Sequence, residues 1–202
     1  MKKNEFVYLE LLFHFIEKKN NRFTQLGLAK KIAISISTVN NALKPLVRMG
    51  AIEIKKMSFR IIDYKKILYY WASVRNLEKD ILYSTRIEAT VSEIEKNMPP
   101  RVIYACYSAY KFKFEEVAAD YSEVYVYADE KALKEIKKRF PERKGPANLI
   151  VLKIDKHLTS VSENSLAPIA QMFVDLWNLR TWYAKDFVNA LEKRISGLTG
   201  EY

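Results

Sequence analysis

Cysteine and histidine are nearly missing from this 202-residue chain: Cys106 stands alone, and His14 and His157 are the only imidazoles. A single thiol forms no internal disulfide, and three such residues so far apart in sequence make no zinc cluster, so neither a structural metal nor a cofactor is expected. No apolar run reaches the length of about 18 residues that a membrane span needs. The opening MKKNEFVYLELLFHFIEKKNN has charges on both sides of its apolar segment and no small-residue cleavage site, which predicts a soluble, cytoplasmic protein. Glutamine is confined to Gln25 and Gln171 while Lys, Glu, Ile and Tyr abound, a bias shared with proteins of thermophiles.

What the chain does have is apolar content and positive charge. Hydrophobic residues make up 49% of it, enough to bury a core in one or two domains. The net charge is +10, and it is unevenly placed. Residues 1–80 hold 16 Lys and Arg against 7 Asp and Glu, whereas residues 81–202 hold 18 against 17. The front third is therefore the side expected to meet a polyanion, and the rear is close to neutral.

Phe6, Leu9, Leu12, Phe13 and Ile16 recur at steps of three or four and predict a helix over 4–19 with one broad apolar face. After Asn20-Asn21, Thr24 is a candidate N-cap for TQLGLAKKI, with Leu26, Leu28, Ala29 and Ile32 inward and Lys30 and Lys31 in water. Ser35 is the next candidate cap. It opens a helix that turns Val39, Ala42, Leu43, Leu46 and Val47 inward and Ile36, Ser37, Thr38, Asn40, Asn41 and Lys44 outward, until Gly50 ends it. Pro45 inside this helix removes one backbone hydrogen bond and predicts a bend. AIEIKKMSFRIID then reads as a hairpin with Ile52, Ile54, Phe59 and Ile61 on one face and Lys55, Lys56 and Arg60 near its tip.

Two helices joined by so short a turn, the second with small polar side chains at its start, match the geometry by which a helix enters the major groove. Asn bonds an adenine edge bidentately, Ser and Thr reach bases or phosphates, and Lys pairs with guanine or the backbone. Residues 5–63, and ISISTVNNALKPLVRMGAIEI in particular, resemble a winged helix-turn-helix domain with its recognition helix and first wing strand. The expected partner is double-stranded DNA, with Thr24, Lys30, Lys31, Ser35, Ile36, Ser37, Thr38, Asn40, Asn41, Lys44, Lys55, Lys56 and Arg60 as candidate contacts. The competing reading is a winged helix that docks protein and never touches nucleic acid.

A connector helix is expected over 64–80, with Asp63 as its cap and Ile67, Leu68, Trp71, Val74 and Leu77 on one stripe. That stripe packs on one of the two domains or forms the seam of a homodimer. Beyond residue 80 the pattern changes to strands at 101–108, 122–129 and 146–154, an amphipathic helix at 129–140, and two further helices, the first with Ile169, Met172, Phe173, Leu176 and Trp177 inward. The fold class is α+β: a winged helix in 1–63, the connector, and an α/β domain in 81–202.

CYSAYKFKFEEVAADYSEVYVYA resembles the strand-turn-helix-strand of nucleotidyltransferases, in which a Gly-Ser turn cradles phosphates and two carboxylates at i and i+2 hold metal ions. Here Tyr107 and Ser108 stand at the Gly-Ser position and Glu123 and Tyr125 at the carboxylate positions. Tyrosine does not replace an acidic ligand, and only Gly lets the backbone approach a phosphate so closely. The resemblance therefore implies an inactive site and a protein that is not an enzyme. A silent domain of this kind behind a winged helix is similar to the AbiEi-like antitoxin and regulator family. The tail shares its Pro-x-x-Gln-x-x-x-Asp-Leu-x-Asn-Leu segment, here Pro168, Gln171, Asp175, Leu176, Asn178 and Leu179, where Asp175 and Asn178 are expected to serve helix capping and local hydrogen bonds. The resemblance implies DNA-binding transcriptional control, sometimes of a toxin operon. The rear domain would then dock a basal transcription factor or a toxin, with Tyr104, Tyr110, Tyr121 and Tyr127 as candidate interface residues.

Overall fold

The computed structural model describes residues 1–200. Its first helix, α1 (Lys3–Ile16), is buried on nearly every side rather than on one face. Val7, Tyr8, Leu9, Leu11, Leu12, Phe13 and Ile16 are all buried, and Phe6, expected inward, is only half-buried. A helix with this pattern belongs inside a protein. It packs on α3, α4, α8, α9 and α10.

The front unit continues with β1 (Arg22–Phe23), α2 (Gln25–Lys31), α3 (Ile36–Arg48), β2 (Ile52–Ile54) and β3 (Phe59–Ile61). Both expected caps form: Thr24 Oγ1 accepts from Gly27 N at 3.0 Å, and Ser35 Oγ accepts from Thr38 N at 3.1 Å. Between these helices Ala33 takes a left-handed φ of 52° to make the turn. Gly50 (φ 68°) closes α3 in a Schellman arrangement, its N–H donating to Val47 O and that of Ala51 to Leu46 O. The hairpin pairs Ile52 with Ile61 and Ile54 with Phe59, and β1 adds a third strand in the order β1-β3-β2. Two residues were too few for a period-2 pattern to reveal β1.

The connector differs from the single helix expected over 64–80. Asp63 caps α4 (Tyr64–Val74), the backbone turns extended at Arg75, and a separate 3-10 turn (Leu77–Asp80) follows, capped by Asn76. The break follows the guanidinium: Arg75 is drawn into the interior. Ile67, Leu68 and Trp71 are buried against α1 and α9, whereas Val74, expected on the stripe, lies exposed.

The rear contains β4 (Ile81–Thr85), α5 (Val91–Lys96), β5 (Ile103–Ala105), α6 (Cys106–Phe114), β6 (Val124–Ala128), α7 (Glu130–Arg139), β7 (Leu149–Lys153), α8 (Lys156–Val161), α9 (Ile169–Trp177) and α10 (Ala184–Thr199). Its sheet runs β4-β7-β6-β5, with β6 and β7 parallel and the other pairs antiparallel. Side chains alternate between its faces. Tyr127, Ile150 and Leu152 face the large core shared with α1, and Val124, Val126, Leu149 and Val151 face a smaller one under α5 and α7. The strand expected at 101–108 stops at Ala105. Cys106, at φ 48°, turns the chain into α6, so Tyr107 and Ser108 are helical.

A buried polar network joins front to rear. The Arg75 guanidinium meets Glu5 of α1 (3.4 Å), Asp80 (2.5 Å), Asp175 of α9 (3.2 Å) and the Tyr127 hydroxyl (3.3 Å). Gln171 donates to Asp175 at 2.9 Å, and Trp71 Nε1 to Glu5 at 3.1 Å. Asp175 therefore does not act as a cap; it is a fully buried counter-ion. Asn178 does act locally, closing α9 and donating to Val174 O and Ala72 O. Replacing Arg75 by Met leaves Glu5 and Asp175 buried without their cation, and should cost roughly 3–5 kcal/mol. Urea denaturation measures this; Arg180→Met, at a side chain 89% exposed, should stay within about 0.5 kcal/mol of wild type. Equal midpoints for the two variants would contradict the role given to Arg75.

Candidate nucleic-acid interface

The outward face of α3 is built by its spacing. Val39, Ala42, Leu43 and Leu46 are buried against α1 and α2, which turns Ile36, Ser37, Asn40, Asn41 and Lys44 to solvent. Val47, expected inward, lies on the exposed side, as does Leu26 of α2. Pro45 is accommodated within a continuous helix over Ile36–Arg48.

The thirteen candidate residues divide by what already holds them. Ser35 and Thr38 are occupied at the start of the helix, their hydroxyls 2.8 Å apart. Thr24 caps α2. Lys44 Nζ donates to Asn41 Oδ1 at 3.0 Å, so these two act as a pair, while Ile36, Ser37 and Asn40 are exposed on the leading turns. On the hairpin, Glu53 accepts from Arg60 at 2.6 Å and lies 3.6 Å from Lys55; the Arg60 hydrogen bond foremost holds its carboxyl below the usual range. Lys56 and Met57 form the exposed tip. Ile54, expected with the buried face, is exposed.

Lys30 and Lys31 are adjacent in sequence and differ in environment. Lys30 is exposed. Lys31 Nζ lies 2.9 Å from the carboxylate of Glu10, which is fully buried in α1, and 2.6 Å from His14 Nε2. His157 Nε2 approaches the same carboxylate at 3.4 Å, so both histidines converge on it. Burial, ahead of the opposing pull of Glu10, holds both imidazoles below their ordinary pKa. A pocket of 410 Å³ opens beside this cluster, walled by Phe23, Leu28, Arg22 and Thr24.

Two exposed cations escaped the sequence reading. Arg22 sits on β1 opposite Arg60, and Arg48 ends α3. Arg22 became a neighbour of the hairpin only through the two-residue strand.

In the rear, Tyr107 is buried in an aromatic cluster with Tyr121, Tyr125, Tyr183 and Phe187. Ser108 is fully buried. Glu123 accepts from the Tyr183 hydroxyl, and burial raises the Tyr125 phenol well above its ordinary pKa. Among the described residues no group of three or more His, Cys, Asp or Glu is placed to hold a metal ion. The tyrosines expected at a protein interface are not available: Tyr110 and Tyr127 are buried, and Tyr104 and Tyr121 are half-buried with their hydroxyls on Glu95. Strand and helix tyrosines here fill the core. Trp177, expected inward, is instead exposed, as is Trp182. No helix is long and apolar enough to cross a membrane among the described residues.

Residues 16–53, from the end of α1 through most of β2, match a family model described as winged helix-turn-helix DNA-binding. Searches of curated proteins and of solved structures gave no match. The front of the chain is thus similar to a DNA-binding winged helix in the stretch that contains α2, the turn and α3.

The two lysines should separate experimentally. Lys31→Ala removes a cation from buried Glu10 and should lower both the urea midpoint and DNA affinity, whereas Lys30→Ala should lower affinity alone. Identical midpoints for the two variants would show that the Glu10 contact contributes nothing to folding.

Proposed function

We propose that the chain is a sequence-specific DNA-binding transcription regulator whose winged helix sits on promoter DNA. The observation that carries this reading is the exposed strip Ile36, Ser37, Asn40 and Lys44 on α3, inside a stretch similar to a DNA-binding family and followed by a hairpin with Lys56 at its tip. In this reading α3 enters the major groove by its first turns, and Asn40 offers both its donor and its acceptor to an adenine edge. Lys44, steered by Asn41, reaches a base or a neighbouring phosphate. Lys30, Lys31, Lys56, Arg22 and Arg48 add phosphate contacts, which need only positive charge within reach. Arg60 and Lys55 contribute less, because Glu53 already neutralises part of their charge.

The rear serves as a scaffold and protein-docking body rather than as a catalyst. What supports this is the filling of the position where a nucleotidyltransferase would seat phosphate: Tyr107 and Ser108 are buried, and the partner of Glu123 is a tyrosine hydroxyl. A protein partner would dock from the rear, where Trp182 is 79% exposed.

Selection of bound duplexes from a random pool, followed by binding measurements at several salt concentrations, tests the reading. Wild type should enrich a defined sequence. Asn40→Ala should lose preference at one position, at about 1–3 kcal/mol for a bidentate contact. The double variant Lys30→Ala, Lys56→Ala should weaken all duplexes alike, and the slope of log affinity against log salt should fall by about 0.9 for each phosphate no longer neutralised. A protein that enriches no sequence, or a slope unchanged by the double variant, would contradict this assignment.

A further inference from the structure

We infer that Ile36 reads a thymine methyl and that, together with Asn40, it directs the protein to a target carrying A·T pairs side by side under the first two turns of α3. The inference rests on the DNA-binding reading and specifies the sequence that reading leaves open. Ile36 is the first residue of α3 and is 48% exposed, a branched apolar side chain where the rest of the leading turn is polar. Its neighbours limit what else can be read there. Ser35 and Thr38 are tied together in the cap, and Asn41 holds Lys44, so Ile36, Ser37 and Asn40 remain as the strip facing outward at the start of the helix.

Residues 36 and 40 lie one turn apart on the same side of the helix, with Cβ atoms about 5–6 Å from each other. That separation spans at most two base steps of about 3.4 Å. Isoleucine has no group to donate or accept a hydrogen bond. The apolar feature on a base edge in the major groove is the C5-methyl of thymine, and the amide of Asn matches the N6 and N7 of adenine. An exposed isoleucine therefore meets a complementary surface at thymine and an unmatched polar one at the other bases. The rest of the front unit suits a duplex as occupant: Lys30 on α2, Arg48 at the end of α3 and Lys56 at the hairpin tip are exposed.

The test removes the methyl and nothing else. Duplexes are selected with the full-length protein, the best sequence is remade with deoxyuridine in place of each thymine in turn, and Kd is measured for wild type, Ile36→Val and Ile36→Ala. One thymine position should weaken wild-type binding about fourfold when its methyl is absent. Ile36→Val should keep part of that ratio, and Ile36→Ala should bring it to about one while still binding DNA. If wild type selects a sequence but tolerates deoxyuridine everywhere, or if Ile36→Ala retains the full ratio, Ile36 is not the reader and the DNA-binding reading still stands. If no sequence is selected at all, both fall together.

Discussion

A guanidinium buried between two helices that belong to opposite ends of the chain holds this structure in one piece. Removing charged groups from water costs several kcal/mol each, and such a group is tolerated only where its partners are in place. Arg75 has Glu5 from α1, Asp175 from α9, Asp80 and the Tyr127 hydroxyl around it, so each of these elements must be seated before the charge is satisfied. α1 is tied at its other end as well. Glu17 accepts from Ile169 N at 2.8 Å, serving an orphan donor at the start of α9, and from Lys113 at 2.6 Å. In the middle, Glu10 gathers Lys31, His14 and His157. Three glutamates on or beside one helix thus connect it to α2, α4, α6, α8 and α9.

This arrangement bears on how the winged helix is presented. In an isolated domain of this type the first helix would expose one side to water; here that side is the floor of the rear core. α3 packs on α1, and α1 packs on α9, so α3 is carried on a frame that extends to the rear sheet. The positive charge stays on the front, away from the near-neutral rear. A frame of this kind fixes the orientation of the exposed start of α3 relative to the rear sheet.

The helix-turn-helix was legible because its signals are local. Thr24 and Ser35 bond to backbone three residues away, Gly50 supplies a left-handed φ, and the 3.6-residue repeat of Val39, Ala42, Leu43 and Leu46 is long enough to read. The errors came where a distant partner decides. Val47 and Leu26 fit an apolar pattern but lie exposed. Tyr110 and Tyr127 were expected at a surface because strand tyrosines are commonly half-exposed, yet α10 and α9 cover them. Asp175 and Arg75 are 100 residues apart, and no local pattern predicts their meeting. The helical state of Tyr107 and Ser108 hangs on a left-handed cysteine, which apolar run length does not reveal.

On the proposed function, α1, α4 and α9 form one cooperative body that presents the start of α3 and the hairpin tip to a duplex. Amide hydrogen exchange with and without a selected duplex tests it most directly. The amides of α1, α4 and α9 should share a common opening free energy in free protein, with added protection on DNA confined to residues 24–31, 35–44 and 54–60. Separate, lower-energy opening of the front helices, or protection appearing on the rear sheet in place of α3, would contradict it.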